Sequence, residues 1–346
     1  MENTMHLVLA LLADGKNLPL DVATRAFQII MNGGATPAQI AAFLMGLRIK
    51  GETVDEIIAG ATAMRVKAKP FDRVAGAIDT CGTGGDSRGT YNISTATALV
   101  LAACGLPVVK HGNRSVSSRS GSADVLDILG VKTDCEPPIA ERCLRECGIA
   151  FLFAPKFHPA MRHVAPIRQE LGLRTIFNIL GPLTNPAAPD FQLLGVYNQS
   201  LLKPLAETLK ALGTRAAWLV HGSDGLDELT LTGNSKVVAL KNGEISEFEV
   251  SPEDAGLPRA SLEDLKGGDP QRNANALIEA ISGVESPYRN AVVYNAAAGL
   301  VIAGKVDNLK DGANLAKEGI DSGKAHTILK KLVDISNTGV QIRRSE

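Results

Sequence analysis

From about residue 74 onwards, short apolar segments alternate with segments of helical periodicity, and this alternation constrains the fold most. The apolar segments span residues 107–110, 149–154, 193–197 and 216–221, and the helical segments span residues 93–104, 122–130, 138–147 and 201–212. Strands that alternate with helices form mainly parallel sheets that helices cover. The sequence therefore predicts an α/β fold, with ligand sites beyond the carboxyl ends of its strands.

The first 68 residues have a different pattern, which predicts helices only. The segments Thr36–Gln39 and Thr53–Glu56 are both capping boxes, which open helices. Apolar residues recur at helical spacing after each box. Most of the proline-rich segment 156–190 and the region from about residue 270 also have helical patterns. A helical subdomain should therefore precede the α/β part of the chain.

Composition argues against several classes of protein. The 346 residues carry a formal net charge of −1, and 4% of them are aromatic. With a pI near 6.6, the chain lacks both the basic surface and the stacking aromatics of a nucleic-acid-binding protein. Its apolar runs are too short to cross a membrane, and the N-terminus lacks the basic region of a signal peptide. Five cysteines without metal-ligand spacing are typical of a reduced protein, so we expect a cytoplasmic protein that binds neither membranes nor nucleic acid.

Residues 110–119 indicate a phosphate site. They carry three fixed cations, one histidine and four small hydrogen-bonding side chains, between an apolar run and a helical stretch that begins at Ser122. Backbone N–H groups and the helix dipole both favour an anion at such a position. Because the net charge of the chain is only −1, this local positive charge is not a by-product of a basic protein.

A second segment, Cys81–Asp86, indicates the same kind of ligand and follows another apolar run at residues 75–79. Its three glycines permit positive φ, so that backbone N–H groups can converge on phosphate oxygens. The segment is not a dinucleotide fingerprint, because Ser87 stands where that motif needs glycine, and it is not a Walker A loop. Taken alone, it is equally well a tight turn between strand and helix. The location of both segments at predicted strand ends favours the phosphate interpretation.

Asp227 and Glu228 form a third group of residues that could bind a ligand. Together with Asp224 they place three carboxylates within five residues at a predicted strand end. Adjacent carboxylates can bind one Mg²⁺ ion or bridge two. Such a pair alone is more often a solvated acidic turn, but a polyphosphate in the same cleft would favour the metal site. His158 and His163 are five residues apart, which is poor spacing for a zinc site on one helix face.

Six motifs together give a more specific signal than any one of them. They are GTGGD at 82–86, NIST at 92–95, KHGNR at 110–114, HP at 158–159, NILGPLTNP at 178–186 and DE at 227–228. The order of these motifs and the length of the whole chain resemble those of the anthranilate phosphoribosyltransferases. Ser87 and Tyr91 depart from that family's more usual glycine and phenylalanine, but neither change removes a ligand-type group.

The resemblance implies an architecture and a reaction. The expected fold is a small all-helical domain over residues 1–68, joined by helices from about residues 165–190, and a larger α/β domain over residues 74–346 with a central, mostly parallel mixed sheet. The active site should lie in the cleft between the domains, and two copies should form a homodimer through the helical domain. The expected reaction transfers the phosphoribosyl group of 5-phosphoribosyl 1-pyrophosphate (PRPP) to the amino group of anthranilate, the second step of tryptophan biosynthesis from chorismate.

The resemblance also assigns roles to individual residues. The PRPP-binding residues would be Gly82, Gly85, Asp86, Thr90, Asn92, Ile93, Ser94, Thr95, Lys110, His111, Gly112, Asn113, Arg114, Ser115, Val116, Ser117, Ser118 and Ser122. The anthranilate-binding residues would be Gly82, Asn113, His158, Arg168 and Gly181. The planar fork of Arg168 suits the substrate carboxylate. The cofactor Mg²⁺, as two ions, would be held by Ser94, Asp227 and Glu228.

The chemistry of this reaction indicates what the site must do. Bond breaking at the anomeric carbon gives an oxocarbenium-like transition state while negative charge grows on pyrophosphate. Lys110 and the Mg²⁺ held by Asp227 and Glu228 are suited to absorb that charge, so these three are the expected catalytic residues. The aryl amine is neutral at pH 7 and needs orientation more than a strong base, and no residue stands out as an essential general base.

Three other functions remain as alternatives. A pyrimidine nucleoside phosphorylase shares the expected fold and a Lys-His phosphate segment, but that segment continues with Ser, Thr and paired Gly, whereas Gly112–Arg114 follows here. The Asp-Glu pair also argues against its metal-free reaction. A non-catalytic paralogue that binds nucleic acid should carry a basic face. A purely structural dimer would not require the three groups of polar residues described above.

Overall fold

The computed structural model describes residues 2–86, 88–115 and 120–339. Ser87 and the predicted PRPP-binding residues Val116, Ser117 and Ser118 lie outside the described residues. The α-helices are α1 (Glu2–Ala13), α2 (Leu20–Met31), α3 (Pro37–Lys50), α4 (Val54–Lys67), α5 (Ile93–Ala103), α6 (Ser122–Ile128), α7 (Pro137–Cys147), α8 (Ala154–Phe157), α9 (Ala165–Leu171), α10 (Ile176–Leu180), α11 (Leu202–Ala211), α12 (Pro270–Ile281), α13 (Pro287–Ile302), α14 (Leu309–Asp321) and α15 (Lys324–Ser336). The strands are β1 (Ile78–Gly82), β2 (Val108–Gly112), β3 (Ile149–Phe153), β4 (Phe191–Gly195), β5 (Ala216–Gly222), β6 (Ser235–Lys241) and β7 (Glu244–Val250). No helix in the described ranges is long and apolar enough to cross a membrane.

The seven strands form one mixed sheet in the order β3-β2-β1-β4-β5-β6-β7. The strands β1 to β5 pair in parallel, whereas β6 and β7 pair antiparallel to their neighbours. The predicted fold class, a small helical domain beside an α/β domain with a mostly parallel mixed sheet, is therefore confirmed.

Strand β1 lies later in the chain than its apolar run suggests. The run covers residues 75–79, whereas β1 pairs with β4 from Ile78↔Phe191 to Gly82↔Gly195. Likewise β2 extends to Gly112, which pairs with β3. Hydrogen bonds to neighbouring strands hold these polar and glycine residues in the sheet. The motifs therefore begin inside the strands rather than after them.

The sheet separates two hydrophobic cores. Leu193 and Val220 belong to the core on one face, which includes α5 and α13, whereas Leu194 and Leu219 belong to the core on the other face. Neighbouring side chains of a strand point to opposite faces, which explains this division. The second core also contains the apolar side chains of α1 to α4, so the helical domain packs on that side of the sheet.

Two close contacts join the helical domain to the segment 165–190. The rings of Phe27 in α2 and Phe177 in α10 lie with their centroids 6.3 Å apart. A Cβ on Gly60 of α4 would lie 2.7 Å from Leu180, so glycine permits this close approach. The domain boundaries at 1–68 and 74–346 stay predictions.

Both predicted capping boxes are formed. The N–H of Gln39 donates to Oγ1 of Thr36 at 3.3 Å, and the N–H of Thr36 donates to Oε1 of Gln39 at 3.0 Å. Thr53 and Glu56 make the same reciprocal pair, at 3.4 and 2.8 Å. Each box satisfies N–H groups that the start of a helix leaves unpaired.

Candidate active site

The predicted site residues lie along one edge of the sheet, because several parallel strands end there. Strands β1 and β4 end at the paired residues Gly82 and Gly195, β2 ends at Gly112, and Asp227 and Glu228 follow β5. The loop from β1 to α5 carries the predicted residues Gly85, Asp86, Thr90 and Asn92, and α5 begins with Ile93, Ser94 and Thr95. The carboxyl ends of parallel strands thus bring the predicted phosphate and metal residues together.

Asp227 lies between the ends of β1 and β4, where two glycines leave room for it. A Cβ on Gly195 would lie 1.6 Å from the carbonyl oxygen of Asp227, and a Cβ on Gly82 would lie 2.5 Å from its Oδ2. The N–H of Gly84 donates a hydrogen bond to the same Oδ2 at 2.9 Å. A side chain at position 82 or 195 would displace Asp227, so both positions require glycine.

Asp86, Asp227 and Glu228 form a crowded acidic group. Burial raises the pKa of Asp227 well above its usual value, and the charges of Asp86 and Glu228 raise it further. Burial also raises the pKa of Glu228 to about 8, although Lys110 and hydrogen bonds from Ser94 oppose this shift. Buried like charges are unfavourable together, and a bound cation would relieve their repulsion.

This set of ligands fits Mg²⁺. Ser94, Asp227 and Glu228 offer hydroxyl and carboxylate oxygens, which are the hard ligands that the ion prefers. Across the described ranges, no three acidic, histidine or cysteine side chains form a group that could hold a metal ion by themselves. An incomplete protein set is typical of Mg²⁺ sites that substrate phosphates complete.

Asp224, the other carboxylate of this segment, shapes the loop after β5. It accepts hydrogen bonds from the hydroxyl groups of Thr230 and Thr232, at 2.7 and 2.9 Å, and from the N–H of Leu226 at 3.1 Å. The structure thus separates the three neighbouring carboxylates into one that folds the loop and two that face the site.

Lys110 is buried next to the predicted metal ligands. Its ammonium group donates to the carbonyl oxygen of Thr80 and, at 3.2 Å, to Oγ of Ser94. Burial lowers its pKa, whereas the charges of Asp79 and Glu228 act against that shift. Lys110 therefore places an ammonium group beside Ser94, where the charge of Glu228 favours its protonated form.

Sequence analysis missed two buried residues that hold this arrangement in place, Asp79 and Asn185. Asp79 accepts the N–H of His111 on Oδ1 at 3.2 Å and the Nδ2 of Asn185 on Oδ2 at 2.9 Å. Burial raises the pKa of Asp79 to about 6, although the charge of Lys110 opposes it. Carboxylates are seldom fully buried unless another group pairs with them. An aspartate in a predicted buried strand was therefore the signal that could have identified Asp79.

Asn92 connects the two predicted phosphate segments. Its Nδ2 donates to the carbonyl oxygen of Ser120 at 3.4 Å, and its Oδ1 accepts from Nδ2 of Asn273 at 2.9 Å. The hydroxyl of Tyr288 donates to the carbonyl oxygen of Asn92 at 3.1 Å. Sequence analysis also missed Asn273 and Tyr288, which lie 181 and 196 residues further along the chain.

The described part of the segment after β2 is organised by Asp124. This carboxylate accepts the N–H groups of Ser115 and Gly121, at 3.0 and 2.9 Å, and pairs with the guanidinium of Arg114. Asp127 pairs with the same guanidinium at 2.6 Å. The hydroxyl of Ser122 donates to the carbonyl oxygen of Asn113 at 3.2 Å. Two carboxylates thus balance the charge of Arg114, so the backbone of this loop is the better candidate for contact with phosphate.

His111 and His158 form a buried pair beside the predicted acceptor site. Their Nε2 atoms lie 3.2 Å apart, and Nδ1 of His111 lies 3.2 Å from the carbonyl oxygen of Gly181. Burial lowers the pKa of His111 to about 3, with help from His158, and lowers the pKa of His158 to about 4. Because the Gly181 carbonyl can only accept, neutral His111 carries its proton on Nδ1, and its unprotonated Nε2 faces Nε2 of His158.

Arg168 offers unused hydrogen-bond donors to the cleft. Its Nη2 donates to Oδ1 of Asn178 at 3.4 Å, and its guanidinium carbon lies 5.7 Å from the centre of the Phe177 ring. Its Nε is buried without a partner among the described residues. Burial lowers its pKa. A partly buried guanidinium with free donors is suited to a planar carboxylate.

The histidine pair predicts a loss of stability in acid. Both pKa values are depressed on folding, so the unfolded chain binds more protons at these two sites, and their contribution to the free energy of unfolding should fall as the pH drops from about 6.5 towards 4. His158 alone could account for up to about 3 kcal/mol of this loss. Urea denaturation at several pH values would measure it, with His158→Gln as the comparison. The variant should lose less stability than the wild type over this range, and parallel losses would contradict the prediction.

Two protein families match the chain. The family described as "Glycosyl transferase family, a/b domain" matches residues 75–326, and "Glycosyl transferase family, helical bundle domain" matches residues 7–68. The anthranilate phosphoribosyltransferase of Methylocella silvestris is 55% identical over 335 residues, which cover 97% of this chain and 96% of that protein. The similarity therefore extends over almost the whole of both chains.

Solved structures have the same fold. The anthranilate phosphoribosyltransferase of Thermus thermophilus matches with a TM-score of 0.90 and 43% identity, over 96% of this chain and 99% of that one. The enzyme of Saccharomyces cerevisiae in complex with PRPP and Mg matches with a TM-score of 0.88 and 28% identity, over 97% and 98% of the two chains. The yeast enzyme is also known in complex with 4-fluoroanthranilate. These similarities favour the phosphoribosyltransferase interpretation over the three alternatives.

Proposed function

The chain belongs to the anthranilate phosphoribosyltransferase family, and from this premise we infer that its cleft transfers the phosphoribosyl group of PRPP to the amino group of anthranilate. The products are N-(5-phosphoribosyl)anthranilate and pyrophosphate, and the reaction is the second step of tryptophan biosynthesis. One observation carries this function: the glycine-rich loop and the acidic pair meet at one edge of the sheet, where the N–H of Gly84 donates to Oδ2 of Asp227.

The donor site proposed here lies across the ends of β1 and β2. Residues 82–86 and 92–95 would hold the pyrophosphate, and residues 110–118 with Ser122 would hold the ribose and its phosphate. The positive φ of Gly85 supports this arrangement, because such a glycine lets backbone N–H groups turn towards an anion, whereas the N–H of Gly84 already binds Asp227. Asn92 keeps the two parts of the site at a constant separation through its bonds to Ser120 and Asn273.

We propose that Ser94, Asp227 and Glu228 hold two Mg²⁺ ions. Mg²⁺ use is supported by the yeast relative, which was solved with PRPP and Mg. The bound metal would supply positive charge to the departing pyrophosphate. The protein contributes the position of the carboxylates, through Gly82, Gly195 and the bonds from Ser94, and the fixed charge of Lys110.

Orientation of the two substrates accounts for the rest of the mechanism. The transition state is oxocarbenium-like at the anomeric carbon, and a neutral aryl amine can attack it without prior loss of a proton. Arg168 would fix the carboxylate of anthranilate, with Gly82, Asn113, His158 and Gly181 around the ring. Binding both reactants in a reactive geometry lowers the activation barrier, because the entropy of bringing them together is lost on binding and not in the chemical step.

Release of pyrophosphate tests this function directly. The purified chain would be given PRPP and Mg²⁺, with and without anthranilate, and pyrophosphate would be measured over time. Release that depends on anthranilate is expected. Thymidine cleavage that depends on phosphate would instead support the phosphorylase alternative, and release without an acceptor would contradict the proposed acceptor.

Arg168→Ala is expected to act on anthranilate. Two charge-assisted hydrogen bonds would be lost, so KM for anthranilate should rise by about 10- to 100-fold. The value of kcat should change much less, because the carboxylate is bound equally in the ground state and the transition state. Steady-state kinetics with each substrate varied in turn would measure both constants. A rise confined to the KM for PRPP would contradict the assignment of Arg168.

We also propose that two copies of the chain form a dimer through the helical domain, and that the protein is cytoplasmic. Leu7 of α1, Ile49 of α3 and Leu173 after α9 are 54%, 80% and 58% exposed. Helix α3 packs against both α1 and α9, so these apolar side chains lie on neighbouring elements. Exposed apolar groups on adjacent helices are typical of an interface.

Ile49→Glu should convert the dimer into a monomer, because a charge at the centre of an apolar interface has no partner. Sedimentation equilibrium or light scattering would measure the mass in solution. Val66→Glu is the matched control, because Val66 is 75% exposed but lies on α4. A monomeric wild type, or equal dissociation of both variants, would contradict the proposed interface.

A further inference from the structure

Arg174 lies at the edge of the cleft and has no role in the site described so far. It stands between α9 and α10, six residues after Arg168. Its guanidinium carbon lies 4.0 Å from the centre of the ring of Tyr197, two residues beyond the end of β4. Stacking on an aromatic ring keeps a guanidinium in a defined position. The ring of Tyr197 therefore holds the guanidinium of Arg174 in place without an acidic residue.

The guanidinium of Arg174 lies against the glycine-rich loop. A Cβ on Gly85 would lie 2.3 Å from Nη2 of Arg174, and Gly85 has a φ of +76°. The same loop is tied to β4, because the N–H of Thr83 donates to the carbonyl oxygen of Gly195 at 2.9 Å and Oγ1 of Thr83 accepts the N–H of Tyr197 at 3.0 Å. Arg174, Tyr197 and the loop thus form one structural unit.

No hydrogen bond or ion pair with another described residue reaches the guanidinium of Arg174. Its surroundings offer few anions. Glu52 lines a pocket of about 300 Å³ together with Arg174, but the cations that act on its carboxylate are Arg48 and Lys50. The Asp86 carboxylate lies beside Asp227. A half-buried guanidinium that keeps its donors free is costly, and a ligand anion would remove that cost.

We propose that Arg174 is a further PRPP-binding residue, whose guanidinium contacts the pyrophosphate held by the loop of residues 82–86. This inference rests on the proposed function of the cleft. Because Gly85 has no side chain, the guanidinium can approach the backbone of this loop closely. Two arginines from one connecting segment would then serve the two substrates, with Arg168 on the carboxylate of anthranilate and Arg174 on the pyrophosphate of PRPP.

Arg174→Met tests this role, because methionine keeps an extended side chain against Tyr197 and removes the charge. We expect KM for PRPP, and Kd for pyrophosphate with Mg²⁺ measured by calorimetry, to rise by at least about ten-fold. KM for anthranilate should change by less than about two-fold, since the acceptor contacts other residues. Arg174→Lys should recover part of the affinity because it restores the charge without the planar fork.

Arg48→Met is the matched control, because Arg48 lines the same pocket as Arg174. Its KM for PRPP should equal that of the wild type. An unchanged KM for PRPP in Arg174→Met would overturn the inference, even if the melting temperature fell, because Arg174 would then only pack against Tyr197. An equal rise in both variants would also overturn it, because the effect would be the general charge of the cleft. If the wild type itself fails to release pyrophosphate with anthranilate, the proposed function fails, while calorimetry with pyrophosphate still decides the role of Arg174.

Discussion

Asp227→Asn and Glu228→Gln are each expected to lower kcat by about 10³-fold or more, which is the scale of loss when a preorganised group that stabilises transition-state charge is removed. Both substitutions keep the size of the side chain, so the fit between Asp227 and the glycines at positions 82 and 195 is preserved. Burial and mutual repulsion raise both pKa values, so removal of one charge should not destabilise the fold. The expected result is a folded but almost inactive protein.

Pyrophosphate release at saturating Mg²⁺, together with thermal unfolding, would measure this result. Asp224→Asn is the matched control, because its carboxylate lies in the same loop but is bound to Thr230 and Thr232. That variant should melt at a lower temperature and keep most of its activity while it is folded. Wild-type activity in both Asp227→Asn and Glu228→Gln would refute the metal role. An equal loss of kcat in Asp224→Asn would instead indicate that activity depends on the conformation of the loop and not on the two carboxylates that face the site.

The predictable part of the site consists of short segments that carry their own chemistry. The glycine loop at 82–86, the cations from Lys110 and the pair at Asp227 each follow an apolar run. Strands buried in a parallel sheet produce such runs, and their carboxyl ends meet at one edge. Periodicity and chain order were therefore enough to predict that these segments converge, although the strands extend further into the motifs than the apolar runs do.

The unpredicted part consists of pairs that only tertiary structure brings together. Asp79 binds Asn185 across 106 residues, and Asn273 binds Asn92 across 181 residues. Neither residue pair has a spacing that local structure would explain. Each such pair satisfies a buried polar group, so folding requires it, but a single sequence does not indicate which distant partner will do so.

Strand β7, which forms a hairpin with β6, escaped the apolar pattern for a different reason. Most side chains of β7 are exposed, so this edge strand has no apolar run. Its signal was the dipeptide Asn242-Gly243, which has φ values of 51° and 84° and forms the turn. An Asn-Gly pair between two strands is the usual mark of a two-residue hairpin. The turn residues, and not an apolar pattern, were therefore the signal that could have predicted β7.

Lys110→Met is expected to damage both stability and catalysis. The ammonium group is buried, and the charges of Asp79 and Glu228 act on it, so its removal leaves buried carboxylates without a compensating charge. Removal of one charge from an interacting buried set costs up to about 3–5 kcal/mol of unfolding free energy. The value of kcat should also fall by about 10²-fold or more, because Ser94 loses a partner and the site loses a positive charge near the departing pyrophosphate. Denaturant unfolding and pyrophosphate release would measure the two effects.

A second substitution separates these two effects. In the double variant Lys110→Met with Asp79→Asn, both interacting buried charges are removed, and part of the lost stability should return. Asparagine can still accept the N–H of His111, but its amide nitrogen would then face Nδ2 of Asn185, so the hydrogen bond from Asn185 is lost and the recovery of stability should be incomplete. Activity should not return, because the site still lacks the charge beside Glu228. Stability losses that simply add would show that Asp79 is not the partner of Lys110, and recovery of activity together with stability would show that Lys110 acts through the fold and not on the pyrophosphate.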